Sequence, residues 1–443
     1  MNSSWAALRH PTFRNLWIVS AISSTCVAAQ GNATTVLMNA QGCSPFLISL
    51  ILIAAALPFF LFTIPAGFLA DRVNRKKLLC AINLWLAASA FVLAIFSWLK
   101  VLSPCLILFC VFLVGTGFAF NAPVSTAIVA QLVPESELAS VATLNGLQFN
   151  ISGIIGPALA GLLIPLIGVD LIFTTNATCF LLVILALRRW KQPMKRSEDR
   201  SDQPRSSFAA IARCIRSAPG FRAILIRNFE FSFFIAAILA LAPAIGLKVL
   251  HFNSSELGLL FACKGAGSVI AALFILSWVR KVFPRSVLTL SNSVIALVYL
   301  VMPCLHEAPV FFLAAAFAGA GWTVSASQLW VVGLQVIPDW ARGRLAAAII
   351  TISQGATVLG GLIWSALVAS GGATNALLTA GVLFSITTLL TTGYGLMKRF
   401  AGPSAKISAV LPAKNFSGNK TEVNRPETPG AEILSNRMKP VIG

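Results

Sequence analysis

Apolar residues in this chain fall into blocks, separated by short polar breaks. A helix needs roughly 20 consecutive apolar residues to cross the hydrocarbon core of a bilayer. Blocks of about that length lie near 15–38, 47–70, 78–99, 103–131, 138–166, 171–190, 223–247, 256–279, 286–304, 309–334, 345–369 and 374–397. The pattern predicts an all-α membrane protein of about twelve transmembrane helices. Asn, Gln and Gly inside several blocks predict faces that meet protein or water rather than lipid.

Two segments break the pattern. Residues 191–220 predict a cytoplasmic linker, with Lys191, Lys195, Arg196, Arg200 and Arg205 punctuated by Pro193 and Pro204. Within it, Phe208, Ile211, Ala212 and Ile215 recur at helical intervals near Arg213 and Arg216, as an amphipathic helix on a membrane face would. Residues 401–443 carry five prolines and little periodic apolar content, which predicts a disordered cytoplasmic tail. The expected division is therefore a first half over 1–190, the linker 191–220, a second half over 221–400 and the tail 401–443.

The two halves repeat one another. At an offset of 204 residues, Gly115 and Gly117 match Gly319 and Gly321, Gln131 matches Gln335, and Pro134 matches Pro338. Glu135 matches the acidic Asp339, and Gly156 matches Gly360. The matches join the fourth and fifth blocks to the tenth and eleventh, so the halves run in the same direction. Parallel repeats about an axis along the membrane normal are one of the ways transporter folds are built.

Composition agrees with lipid as the solvent. Charged residues make up 11% of the chain, against about 25% in soluble domains, and the mean hydropathy is +0.84. The net charge of +19 is not a nucleic-acid footprint, because the basic residues cluster between apolar blocks. With the N-terminus inside, 30 of the 33 Lys and Arg fall on the cytoplasmic side, Lys100 and Lys248 fall outside, and Lys264 lies within a span. The excess of basic residues on inner loops predicts cytoplasmic termini in the inner cell membrane. Met1 to Arg14 is polar and basic and leads into an apolar run too long for a signal peptide, so a retained first span is expected.

Catalytic chemistry has little to work with. The nine cysteines form no C-x-x-C pair and read as small apolar packing residues, without disulfides or metal. There is no G-x-x-x-x-G-K-[ST] loop, and His10, His251 and His306 lie near membrane edges. Neither an enzyme, nor a bound cofactor, nor ATP drive is expected.

The most specific local pattern is Gly67-Phe-Leu-Ala-Asp71-Arg72-Val-Asn-Arg75-Lys76-Lys77, between the second and third spans. It resembles the major facilitator signature G-x-x-x-D-R-x-G-R-R/K, with Asn74 in place of the usual Gly. Asn tolerates a left-handed turn, so the loop is expected to persist. The resemblance implies that Asp71 latches the inner ends of the two halves. A carboxylate is stabilised near a helix N-terminus, here the eleventh span near Arg342 to Ala346. A plain basic loop would account for Arg75, Lys76 and Lys77, but poorly for Asp71 beside Arg72. The fourth span, 103–131, has no Lys or Arg, so the charge relay of drug–proton antiporters lacks its basic member.

In the fifth span, Gly146, Gly153, Gly156-Pro157 and Gly161 resemble the antiporter motif G-x-x-x-G-P-x-x-G-G, with Ser152 and Ala160 replacing two glycines. Small residues let helices approach closely. ALRHPTFRNLW at 7–17, LPFFLFTIPAGFLADRVNRKKLL at 57–79 and the stretch 121–161 are similar to the bacterial secretion-effector branch of the superfamily, which includes enterobactin exporters and macrolide-efflux-like proteins. The resemblance implies two six-helix halves and alternating access. It implies export of an amphiphilic, siderophore- or drug-like small molecule, with protons as the driving partner and a monomer as the working unit. The alternatives are uptake, lysophospholipid flipping, or a non-transporting receptor or scaffold.

Ionisable residues inside spans are costly and suggest function. Lys264 could face an anionic group in a cavity or snorkel to the outer surface. Glu230, three residues after Arg227, could form a helix salt bridge or carry a coupling proton. Gln30, Asn32, Asn121, Gln148, Asn150, Gln328 and Gln354 are cavity candidates, with interhelical hydrogen bonding as the alternative for each.

Overall fold

The computed structural model describes residues 6–134, 137–189, 219–283, 286–336 and 342–393. The linker helix and the tail expected from sequence lie outside these residues, as do Glu135, Pro338 and Asp339. The side chains of Asp71, Arg72, Gln131, Asn150 and Gln335 also lie outside the description.

Proline and capping residues set the helix starts. A 3-10 turn, Ala6–Arg9, leads into α1 (Pro11–Ala40), followed by α2 (Pro45–Arg72), α3 (Arg75–Trp98) and α4 (Pro104–Leu132). Proline fits the first helical position because the amide hydrogen it lacks would have no partner there. Ahead of two of these prolines, the Ser44 and Ser103 hydroxyls accept from the Leu47 and Leu106 amides, each at 3.3 Å. Asn74 caps α3 by accepting from the Lys77 amide at 3.2 Å. Its φ of −58° and ψ of 111° are extended values with negative φ, outside the left-handed region. The left-handed turn expected at Asn74 is therefore absent, and capping is what the residue supplies.

The remaining helices are α5 (Leu138–Arg189), α6 (Pro219–Lys248), α7 (Ser254–Ile270), α8 (Leu276–Val282), α9 (Val287–Val301), α10 (Ala308–Val336) and α11 (Arg342–Gly393). A π-helical turn, Ala271–Ile275, joins α7 to α8. No strand occurs among the described residues.

Among the described residues, nine helices are long and apolar enough to cross a membrane. Two of them, α5 and α11, have 52 residues each, about 78 Å at 1.5 Å per residue, more than twice the ~30 Å bilayer core. Each is broken at a single glycine: Gly168 with φ 75°, ψ 167°, and Gly372 with φ 79°, ψ 162°. Positive φ is accessible there because glycine has no Cβ. The expected loop between the fifth and sixth spans is thus one residue. The 30-residue α1 has spanning length, but Ser20, Ser23, Ser24, Thr25, Gln30 and Asn32 make it too polar for the same criterion.

Gly168 and Gly372 are themselves 204 residues apart, and the repeat extends to the packing. A Cβ on Gly156 would lie 2.5 Å from the Thr25 carbonyl of α1, and one on Gly360 would collide with the Phe233 carbonyl of α6. Gly117 lies against Leu86 of α3, and Gly321 against Ile295 of α9. Gly115 faces the Ala55 carbonyl of α2, and Gly319 the Lys264 carbonyl of α7. Each matched glycine therefore seats the corresponding helix pair in its own half.

The halves meet along two seams. In one, α5 packs on α7: a Cβ at Gly161 would sit 2.8 Å from the Ser254 carbonyl and 2.9 Å from the Gly258 Cα. There the Ser255 hydroxyl donates to the Gly161 carbonyl at 3.0 Å. In the other, α2 packs on α11. The Ser49 hydroxyl donates to Ser365 at 2.6 Å, and a Cβ on Gly361 would be 2.8 Å from Ile53. These contacts extend from the face opposite the Val73–Asn74 turn to the middle of the helices.

The antiporter-like glycines divide by environment. Cβ atoms on Gly146 and Gly153 would meet nothing within 4 Å, whereas those on Gly156 and Gly161 would strike backbone. Gly146→Ala and Gly153→Ala should keep the thermal midpoint of the purified protein within a few degrees. Gly156→Ala and Gly161→Ala should lower it, since overpacking costs about 1–3 kcal/mol. Equal midpoints for all four variants would show that the close approaches do not hold the helices together.

Candidate functional site

Four polar faces converge inside the first half. α1 turns Phe13, Trp17, Ser20 and Ser24 to one side, a helical stripe that also meets α5: the Trp17 indole donates to the Leu144 carbonyl at 3.2 Å. α3 adds Asn83 and Leu86, α4 adds Phe118, Asn121 and Ser125, and the two arms of α5 add Asn145, Gln148 and Phe180. Together they enclose a cavity of about 240 Å³. Asn145 is exposed at its edge, while Leu86 and Phe180 are buried within.

Two side-chain ties between α1 and the second arm of α5 lie next to the lining residues, about one and two turns beyond Ser23 on α1 and within about one turn of Phe180 on α5. The Sγ atoms of Cys26 and Cys179 face each other at 3.2 Å, and both are free thiols. A turn further along, Asn176 donates to Gln30 at 2.5 Å.

The sequence candidates separate on this geometry. Asn121 and Gln148 line the cavity; the Asn121 carbonyl oxygen accepts from Ser125 at 2.6 Å, and the Gln148 amide donates to Ser24 at 2.9 Å. Gln30 is buried in its bond to Asn176, and Asn32 donates to the Pro157 carbonyl at 3.0 Å, fastening α1 to the Gly-Pro step of α5. Gln328 accepts from Arg280 at 3.0 Å, joining α10 to α8. Gln354 is half-buried on α11. Asn83 and Asn145 were not singled out from sequence, although each was as visible as Asn121, an amide within or at the end of an apolar block. Only the packing brings them together.

Lys264 lies ten residues beyond the start of α7, about 15 Å along the axis at 1.5 Å per residue. Its ammonium sits 4.8 Å from the Trp322 ring centroid and 5.6 Å from that of Phe261, within cation–π range. Ile238, Ala242 and Leu260 complete a pocket of about 20 Å³, enough for about one water. No carboxylate pairs with Lys264 among the described residues.

Glu230 of α6 lies in the second half near Thr387 and Thr391 of α11, with its Oε1 buried and without a hydrogen-bond partner. The two threonine hydroxyls donate to the Phe384 and Thr388 carbonyls. Arg227 donates to the Thr391 carbonyl at 2.7 Å. Among the described residues these two form no direct ion pair. In the signature segment, a Cβ at Gly67 would meet nothing within 4 Å, and Arg75 and Lys76 occupy the first turn of α3. Basic residues are unfavourable to the helix dipole there, so their position answers to something other than helix stability.

Comparison with known proteins places these features in context. The family described as transmembrane secretion effector matches residues 2–423. Macrolide efflux protein A of Streptococcus pyogenes is 26% identical over 246 residues, 55% of this chain and 60% of that protein. The enterobactin exporter EntS of Citrobacter koseri is 26% identical over 271 residues, 60% of this chain and 63% of that protein. The chain thus spans about three fifths of the length of these relatives. Among solved structures, a bacterial homologue of the human lysosomal transporter Spinster, inward-facing and unoccupied, superposes with a TM-score of 0.68 at 14% identity, covering 88% of this chain and 97% of the other. The D-xylose–proton symporter gives 0.68 at 13%, covering 85% and 96%. At these identities the likeness is one of fold.

The ring clasp on Lys264 is directly testable. In a double-mutant cycle of Lys264→Met and Trp322→Leu, the two changes should be coupled by about 0.5–2 kcal/mol in SDS unfolding. Additive effects would mean that the ammonium gains nothing from the indole.

Proposed function

From the premise that the chain belongs to the transmembrane secretion effector family, we propose that it exports an amphiphilic small molecule from the cytoplasm by alternating access, in exchange for protons. The chain is an integral membrane protein of major facilitator fold, a transporter rather than an enzyme. Small residues at the seams carry the export reading: two repeated halves touch through a backbone approach at Gly161 and Gly258, and through the Phe60 and Ile53 side chains seated on Gly355 and Gly361. Such contacts are held by short-range packing and can re-form in a second arrangement without exposing charge. The names of the relatives, macrolide efflux and enterobactin export, support the outward direction.

In this reading the face with the Val73–Asn74 turn is cytoplasmic, because Arg75, Lys76 and Lys77 crowd it. Asp71 holds the inner ends of the halves together when the cavity faces outward. Glu230 is the carboxylate that takes up the coupling proton, with the threonine hydroxyls of α11 and the charge of Arg227 at hand. A single chain suffices, since both halves are present in it.

Efflux of macrolides and of a catecholate siderophore from cells lacking their own exporters tests the direction and class. Expression should lower accumulation of at least one of them, and the effect should collapse with a protonophore. Asp71→Asn should reduce efflux by about ten-fold or more at unchanged membrane abundance, a barrier change of about 1.4 kcal/mol. Glu230→Gln should remove the response to an imposed pH gradient while substrate still binds. Gradient-driven efflux that survives in Glu230→Gln would reassign that residue to helix packing. Full efflux by Asp71→Asn would remove the latch.

A further inference from the structure

We propose that the cavity among α1, α3, α4 and the two arms of α5 is a ligand site complete within the first half, and that its ligand is an uncharged amphiphile carrying a ring and a few hydrogen-bonding groups. The assignment deepens the export reading, on which its biological role rests; the binding itself can be examined apart from transport.

Size comes first. At about 240 Å³ the cavity is roughly tenfold larger than the pocket beside Lys264. It falls just under the ~300–1,000 Å³ typical of drug-sized ligands. It suits a small amphiphile or the apolar arm of a larger one.

Charge decides the class. None of the described residues lining the cavity is an Asp, Glu, Lys, Arg or His. An ion moved from water into such a site would lose its hydration with no opposite charge to replace it. The in-span cation that could have drawn an anion, Lys264, is turned to Trp322 and Phe261 in the other half. The pocket that Lys264 lines, about 20 Å³, is too small for the anionic substrate that residue suggests from sequence.

The walls specify the rest. Trp17, Phe118 and Phe180 give flat apolar surfaces against which a ring can stack. The amides are partly engaged in ways that fix what they can offer. Gln148 donates to Ser24, which leaves its carbonyl oxygen as an acceptor. Asn83 donates to the Leu79 carbonyl at 2.8 Å, with the same result. Asn121 accepts from Ser125, which leaves its NH₂ group as a donor. A ligand with a hydroxyl or N–H and a carbonyl or ether oxygen would satisfy all three. Asn145, exposed at the rim, marks the mouth, and the Cys26–Cys179 and Gln30–Asn176 ties lie at the far end.

Two dyes that share a skeleton isolate the charge. N-phenyl-1-naphthylamine is neutral, and 1-anilinonaphthalene-8-sulfonate adds one sulfonate. Both are titrated by fluorescence into purified protein in nanodiscs, with Ser20→Phe as a filled-cavity reference that subtracts lipid partitioning. The neutral dye should show a saturable component at least about ten-fold tighter than the anionic one, and Ser20→Phe should abolish it. Should Ser20→Phe fail to fold, Asn121→Leu, close in volume, should weaken the neutral dye by about five- to ten-fold. Lys264→Met should leave both isotherms unchanged. The proposal is overturned if the anionic dye binds as tightly as the neutral one, if Lys264→Met removes binding, or if a folded Ser20→Phe protein binds like wild type. Intact dye binding without efflux in cells supports the site and counts against the export reading.

Discussion

In lipid, apolar side chains gain nothing by leaving solvent for a neighbouring helix, so helices are held by how closely their backbones can approach and by the hydrogen bonds between them. Gly156 sits on the α1 backbone, Gly360 on that of α6, Gly161 and Gly258 on one another. A single methyl at any of these would push two helices apart along much of their length. The positions of the helices, the two seams and the cavity left between them all follow from where glycine interrupts an otherwise bulky sequence.

Polar side chains do the complementary work. Most are spent on the fold: Asn32 on the Pro157 carbonyl, Asn228 on the Ile349 carbonyl at 3.1 Å, Ser232 on Ser353 at 2.6 Å, and Tyr299 on the Phe234 carbonyl at 2.8 Å. Those bonds are strong constraints because the alternative is an unsatisfied group in hydrocarbon. Asn32 and Asn176 also keep an unengaged Oδ1, but buried in the packing between helices. What distinguishes the cavity amides is that their unengaged ends share one space. Asn83, Asn121 and Gln148 each keep one, and all three open onto the same space.

The sequence made the helices legible because block length and bilayer thickness are the same quantity, and the 204-residue repeat made the doubled architecture legible. It also marked the glycines, but not which ones matter. Gly146 and Gly153 stand in the same motif as Gly156 and Gly161 and yet have room for a side chain. The difference lies in the partner helix, which no local pattern encodes. Asn74 was read as a turn residue and is a cap, since both roles draw on the same short amide. Lys264 was legible as an anomaly, while its answer, Trp322, lies on a different helix. The cavity was half visible: Asn121 and Gln148 could be named, but Asn83 and Asn145 join them only once α3 and α5 are folded against α4.

The breaks at Gly168 and Gly372 carry a mechanical consequence. The two arms of α5 are separated by the dihedral angles of one residue, so α5 behaves as a bent lever with a short fulcrum rather than as two helices on a slack tether. Its first arm forms the seam with α7; its second carries Phe180 and Val183 into the cavity wall. Under the alternating access proposed above, a tilt of the first arm would have only the φ and ψ of Gly168 between it and the second. The chamber in one half would then be squeezed or widened by the stroke proposed to move the halves past each other.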